Sequence, residues 1–275
     1  MVKIKRGFEI IKKNGLAYLA IPAFEDTGMV KHCFTSRIGG VSQGIYNSLN
    51  TSDDKEDPIE NVHRNLELVC EAIGVNYRNL VFSDQTHEDN IRAVTKADLG
   101  KGITIPNDIT HTDGLMTNIP GIPLITFYAD CVPLFFLDKE NRAIAVVHSG
   151  WKGTVLKIGA KTIRKMMKVY GTNPENCLIG IGPSIEMDCF EVGPEVAEQF
   201  IESFGNRPQI IKPLENGKYV VDLWAANKLM LMELGVPEDN ITISGFCTKC
   251  SEEYFFSYRR DKGRTGSMSA IMELK

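Results

Sequence analysis

The stretch from Ile122 to Leu137 constrains the fold more than any other part of the chain, because it is largely apolar yet broken by Pro123, Asp130 and Pro133. It is too short and too interrupted to cross a bilayer, so its side chains must find cover inside the protein. Continuous apolar runs of about four to eight residues are what strands covered on both faces look like in sequence. Ala143–Val147 and Leu178–Ile181 have the same character. Burying such strands takes a sizeable core, and 275 residues of 43% hydrophobic composition supply one without disulfides or an obligatory partner.

Further strands are expected at Leu16–Ile21, Val30–Phe34, Leu80–Ser83, Ile91–Val94, Pro133–Leu137 and Ile241–Ser244. Asp57-Pro58-Ile59-Glu60 predicts a helix with Asp57 at the N-cap and Pro58 at the first position, running through Val62, Leu66, Val69 and Ile73 to a stop at Gly74. Helices are also predicted at Leu156–Tyr170 before Gly171, at Pro194–Phe204 after Gly193, and at Leu223–Leu234 between a capping Asp222 and Gly235. The elements do not alternate strictly, which argues for an α+β layered fold over a doubly wound one. With no linker-like segment, residues 1–275 read as a single domain.

Net charge is −4 with both signs interspersed, so the clustered positive field of a nucleic-acid binder is missing. The start, Met1 to Arg6, lacks the apolar core of a secretory signal. Seven cysteines, an odd number without framework spacing, suggest reduced thiols and a cytoplasmic protein with neither membrane nor nucleic-acid partners.

Three segments are chemically odd for their surroundings. His87 ends Ser83-Asp84-Gln85-Thr86-His87 just past a strand; Cys131 sits in Tyr128-Ala129-Asp130-Cys131-Val132-Pro133; His148 ends a buried strand and opens His148-Ser149-Gly150-Trp151-Lys152-Gly153. One thiolate and two imidazoles suit Zn²⁺ or copper, and three protein ligands leave a fourth tetrahedral position open, as in a catalytic site. The bland alternative is three buried core residues, since their intervals match no generic zinc spacing. Cys247-Thr248-Lys249-Cys250 looks like half a zinc ribbon or a redox pair; with no second Cys-x-x-Cys it is read as binding nothing.

Thr112-Asp113-Gly114-Leu115, Ala129-Asp130-Cys131, His148 to Gly153, Ile181-Gly182-Pro183-Ser184-Ile185, Cys189 to Gly193 and Phe255 to Asp261 resemble signatures of the YfiH/YlmD family, also called laccase-domain proteins or peptidoglycan editing factors. The resemblance runs from about Arg37 to Leu274 and is nearest the bacterial YlmD branch. It implies a four-layer α-β-β-α sandwich related to cysteine-hydrolase-like toxin domains. It implies a zinc site at His87, Cys131 and His148, where Cu²⁺ is also possible, in a cytoplasmic enzyme expected to be monomeric. The implied activities are those of a transferase and a hydrolase. Adenosine, inosine, guanosine and methylthioadenosine would undergo phosphorolysis, and adenosine would be deaminated.

For deamination, a Lewis acid with an open position activates water for attack at a purine C6. Asp113 and Asp130 are the carboxylates expected either to shuttle the proton or to orient the ligands. For phosphorolysis, Ser149 and Lys152 in the glycine loop, with Arg37, are the expected phosphate binders. Trp151 either stacks on a purine or closes the core; Arg259 and Arg260 read as structural. Three rivals remain open. A cysteine amidase that edits a peptidoglycan precursor would use Cys131 as nucleophile and His148 as base. A multicopper polyphenol oxidase would need His-x-His pairs, and the five histidines form none. A structural zinc module would need a fourth ligand such as His111 or Cys189.

Overall fold

The computed structural model describes residues 7–275; the Met1–Arg6 segment, on which the reading about a signal rests, lies outside the described residues. The first third of the chain holds β1 (Glu9–Lys13), β2 (Leu16–Ala20), the single-turn α1 (Pro22–Glu25), β3 (Val30–Thr35) and α2 (Ile59–Ile73). The middle holds β4 (Val81–Phe82), β5 (Ile91–Ala93), β6 (Gly114–Thr117), β7 (Leu124–Tyr128), β8 (Val132–Asp138), β9 (Ala143–Ser149), α3 (Trp151–Val155) and α4 (Ile158–Tyr170). The last third holds β10 (Cys177–Ile181), β11 (Glu191–Val192), α5 (Pro194–Phe204), β12 (Ile211–Pro213) and β13 (Tyr219–Val221). It ends with α6 (Leu223–Met232), β14 (Ile241–Ile243) and β15 (Met268–Leu274).

These strands form a sheet of order β1-β2-β3-β15-β7-β4, a second of order β14-β10-β8-β9-β6-β5, and a small one of order β11-β13-β12. Successive side chains of a strand point to opposite faces, and β8 and β9 show why their sequences are apolar throughout. Leu134, Phe136, Ala145 and Val147 pack against α4, α5 and α6 through Ile163, Met166, Phe200 and Met230. The alternate residues Phe135, Leu137, Ile144 and Val146 meet Phe34, Leu124, Met268 and Met272 of the first sheet. The first sheet's other face, with Cys33, Ile125 and Ile271, takes Val62, Leu66 and Val69 of α2. The result is a mixed α/β fold with several sheets, the two large ones sharing a core.

The structure revises several local expectations. Asp57 does not cap α2, whose N-cap is Pro58 with no side-chain cap. The Asp57 carboxylate instead accepts from Ser42 Oγ at 2.6 Å and Asn50 Nδ2 at 3.0 Å, tying down the preceding loop. The helix expected at Leu156–Tyr170 begins at Ile158, because Lys157 adopts a left-handed conformation between α3 and α4. Asp222 does cap α6, accepting from Ala225 N at 2.8 Å, but the helix ends at Met232. The sequence pattern does not mark β1, β6, β11, β12, β13 or β15, and it marks β7 only as part of the Ile122–Leu137 run. Among the described residues no helix is long and apolar enough to cross a membrane.

Candidate metal centre and its cleft

Four separate segments build the site. The turn Ala129-Asp130-Cys131 joins β7 to β8, and its Asp130 is left-handed. Three donors hold the Asp130 carboxylate: Thr248 Oγ1 at 2.6 Å, Ser257 Oγ at 3.0 Å and Arg259 N at 2.6 Å. That network fixes the turn that presents Cys131. His148 lies on β9, paired across the ladder with Pro133 of β8. His87 follows β4 in a loop where it too is left-handed.

Asp113, fully buried just before β6, joins these pieces. Its carboxylate accepts the backbone N–H of Thr86 at 3.1 Å, of His87 at 3.0 Å and of Glu88 at 2.9 Å, and lies 2.8 Å from His148 Nδ1. One carboxylate therefore holds the loop of one histidine and sets the tautomer of the other, so that His148 carries its proton on Nδ1 and offers Nε2. With every direction of the carboxylate engaged, Asp113 is placed to orient. Asp130 is equally committed, so the structure favours neither as a proton shuttle.

One ligand atom each from His87, Cys131 and His148 lies within 4.8 Å of the others, a grouping that could hold a single ion. The two imidazoles meet at right angles, with centroids 4.8 Å apart. Gly150 completes the cradle: a Cβ there would stand 3.2 Å from both Cys131 Sγ and His87 Cδ2, crowding the donors. Neither His111 nor Cys189 joins this group among the described residues. A three-donor set of this kind fits a metal with an open position.

The electrostatics set the charge of the donors. Burial pushes the Cys131 thiol up, but the imidazoles of His148 and His87 outweigh it and hold the thiol at about 6. Burial likewise pushes His148 down, while the Cys131 thiolate and the Asp113 carboxylate outweigh it and raise the imidazole to about 9. Burial opposes ionisation of Asp113 too, yet His148 and the surrounding N–H donors keep it below the usual carboxylate range. Without a metal the site thus favours a thiolate–imidazolium pair; the thiolate is ready to ligate, and a bound ion displaces the Nε2 proton of His148.

The three donors line a cleft of about 600 Å³, shared with Asp53, Lys55, Trp151, Phe190, Tyr258 and Arg259. Burial raises the Asp53 carboxyl above its ordinary range. The expected phosphate binders do not line this cleft. Arg37 spends its guanidinium on Asn47 O, with Nε at 3.1 Å and Nη2 at 3.0 Å, and stacks on Phe256 at 4.6 Å. Ser149 is fully buried and bonded to Thr154 Oγ1 and Asn227 Oδ1. Lys152 is exposed and lies over the Trp151 ring at 5.7 Å.

The cations on the cleft wall are Lys55 and Arg259 instead. Arg259 Nη1 donates to Glu191 O at 3.0 Å, and the guanidinium lies 5.3 Å from the Phe190 ring centre. Asp53 and Lys55 lie in the charged run Ser52-Asp53-Asp54-Lys55-Glu56-Asp57, where no motif singles them out, and Arg259 lies in a terminal motif that reads as structural.

Residues 31–275 match the family described as multi-copper polyphenol oxidoreductase laccase. The chain is 35% identical to the purine nucleoside phosphorylase YlmD of Bacillus subtilis, over 88% of this chain and 87% of that protein. It is 37% identical to a purine nucleoside phosphorylase of Bacteroides thetaiotaomicron, over 94% of this chain and 96% of the other. In structure it matches a hypothetical protein YfiH from Bacillus licheniformis with a TM-score of 0.91 and 32% identity, covering 98% of this chain and 99% of that one. The match to YlmD from Geobacillus stearothermophilus has the same TM-score and coverage at 30% identity. With agreement over nearly its whole length in both sequence and structure, the chain belongs to the laccase-like family that contains the YlmD and YfiH proteins.

Proposed function

We propose that this chain is a metal-dependent purine nucleoside phosphorylase, acting on adenosine, inosine, guanosine and methylthioadenosine to give base and (methylthio)ribose 1-phosphate. We further infer that the same site deaminates adenosine to inosine. The observation that carries the reading is the convergence of His87, Cys131 and His148, braced by Asp113, on a cleft large enough for a nucleoside. The names borne by the relatives support the substrate class. The reading extends to a cytoplasmic, single-domain protein of α-β-β-α layering like that of cysteine-hydrolase-like toxins, with zinc as the ion and copper as a competitor for the same donors.

His87, Cys131 and His148 would hold a zinc ion, which would supply Lewis acidity in the cleft. The chain's own residues do the rest. Asp113 keeps His148 in one tautomer and His87 in place. Lys55 and Arg259 bring positive charge to the cleft for phosphate. Phe190, Tyr258 and Trp151 offer flat faces for a purine. Asp53, whose carboxyl is held protonated more readily than usual, is the group suited to give a proton to the departing base.

A second reading, a cysteine amidase, is favoured by one observation, the lowered thiol of Cys131 beside a raised His148. His87 is the donor that a nucleophile–base pair does not require. The deciding experiment incubates adenosine with phosphate and follows inosine, adenine and ribose 1-phosphate, with metal content measured on the same protein. Cys131→Ala and His148→Ala are expected to abolish turnover and metal binding at this centre while the protein stays folded. Asp53→Asn is expected to lower kcat about 100-fold with metal retained. Unchanged products in either metal-ligand variant, or alkylation of Cys131 in metal-free active protein, would overturn the assignment.

A further inference from the structure

The Cys-x-x-Cys sequence at Cys247 and Cys250 has the second half it lacks in sequence, supplied from another part of the chain. A parallel bridge pairs Ser184 with Cys247, and Thr248 N donates to Ser184 O at 3.0 Å. This pairing sets the turn carrying Glu186 and Cys189 beside the turn carrying Cys247 and Cys250. One ligand atom each from Glu186, Cys189, Cys247 and Cys250 lies within 4.8 Å of the others. The group shares no residue with His87, Cys131 and His148.

We propose that Glu186, Cys189, Cys247 and Cys250 form a second, structural metal site for a thiophilic divalent cation, Zn²⁺ by its donor set. Tetrahedral zinc with sulfur at about 2.3 Å and oxygen at about 2.0 Å puts sulfur atoms roughly 3.8 Å apart and sulfur and oxygen roughly 3.5 Å apart. Here Cys189 Sγ and Cys250 Sγ are 3.3 Å apart. Glu186 Oε1 lies 3.5 Å from Cys250 Sγ and 4.0 Å from Cys189 Sγ. Four protein donors close the coordination sphere, the mark of a structural site. A disulfide between Cys189 and Cys250 would use two of the four groups and give the carboxylate and Cys247 no part, whereas a divalent cation uses all four. Binding releases the thiol protons to solvent and needs no oxidant.

The place of the site gives it a task. Cys189 precedes Phe190, which lines the cleft, and Arg259 Nη1 reaches Cys189 O at 3.4 Å. Thr248 holds Asp130 in the turn that presents Cys131. A metal clamp here fastens the cleft wall to the turn of the first centre.

The test uses the full chain carrying Cys131→Ala, which removes sulfur from the first centre, so that thiolate charge transfer reports only the second. Chelator-stripped, reduced protein is titrated with Co²⁺. The expected result is one saturating equivalent with thiolate-to-cobalt absorption and the intense visible bands of a tetrahedral site, displaced by Zn²⁺. Adding Cys250→Ser, an exposed position where folding is not at stake, should weaken binding at least about 100-fold; Glu186→Gln should weaken it less. No thiolate-linked uptake by Cys131→Ala, or binding unaltered by Cys250→Ser, overturns the proposal. So does an intact mass two hydrogens short in metal-free protein purified without reductant.

Discussion

At the scale of single residues, Asp113 makes the sharpest claim. It holds three backbone N–H groups of the His87 loop and the Nδ1 proton of His148, and these demands require two acceptor oxygens. Asp113→Asn replaces one acceptor with a donor and removes the charge behind the imidazole. Affinity at the first centre should fall about 10–100-fold, measured by chelator competition, with kcat/KM falling alongside it. An unchanged affinity would mean that the histidines are positioned by something else. His87, Cys131 and His148 are chemically conspicuous in sequence, but their intervals match no zinc spacing, and the family resemblance is what groups them. Their partners are less conspicuous. The carboxylates of Asp113 and Asp130 look interchangeable until hydrogen bonds commit each to orientation. The pairing of Cys189 with Cys250 depends on the Ser184–Cys247 bridge, which no spacing announces.

At the scale of elements, β8 and β9 could be read directly, since covering both faces leaves no polar position within Pro133–Leu137 or Ala143–Val147 to blur the pattern. β15 could not. Met-Ser-Ala-Ile-Met-Glu-Leu has a single β-branched residue, yet it is fully buried between β3 and β7, where tertiary pairing outweighs local preference. The glycine loop after β9 misled for a different reason. Ser149 was expected to face phosphate, but it turns inward to Thr154 and Asn227, and Asn227 also donates to Leu223 O at 2.8 Å. This network joins β9, α3 and α6. Asn227→Leu strips the hydroxyl partners from a fully buried position, and should destabilise the protein by about 1–3 kcal/mol, seen as a Tm lower by several degrees. Because Asp113 holds His148 independently, metal affinity should change less than about threefold; a larger loss would assign the network a role in the site.

At the scale of the whole molecule, stability depends on the two large sheets staying closed, and His32 lies between them. It belongs to β3 of the first sheet and sits edge-on to Phe135 of the second, with centroids 6.5 Å apart. Its Nε2 accepts from Ile21 N at 2.8 Å, so the ring is held neutral with its proton on Nδ1. Burial, with the positive charge of Lys275, lowers its pKa to about 3. Glu25 approaches Nδ1 at 3.2 Å, but its side chain is more than half exposed, and water screens the attraction. The folded pKa is therefore depressed below the unfolded value of about 6.5, and the unfolded chain binds the proton first. The contribution of neutral His32 is complete above that value and is lost as pH falls from about 6.5 toward 3. Between pH 7.5 and pH 5 the loss amounts to roughly 2 kcal/mol. His32→Gln keeps an acceptor for Ile21 but cannot titrate. It should start less stable at pH 7.5, yet lose roughly 2 kcal/mol less than the parent on moving to pH 5, as read from urea midpoints. Equal losses in the two proteins would show that acid opens the molecule elsewhere, and that the interface between the sheets tolerates a charged imidazole.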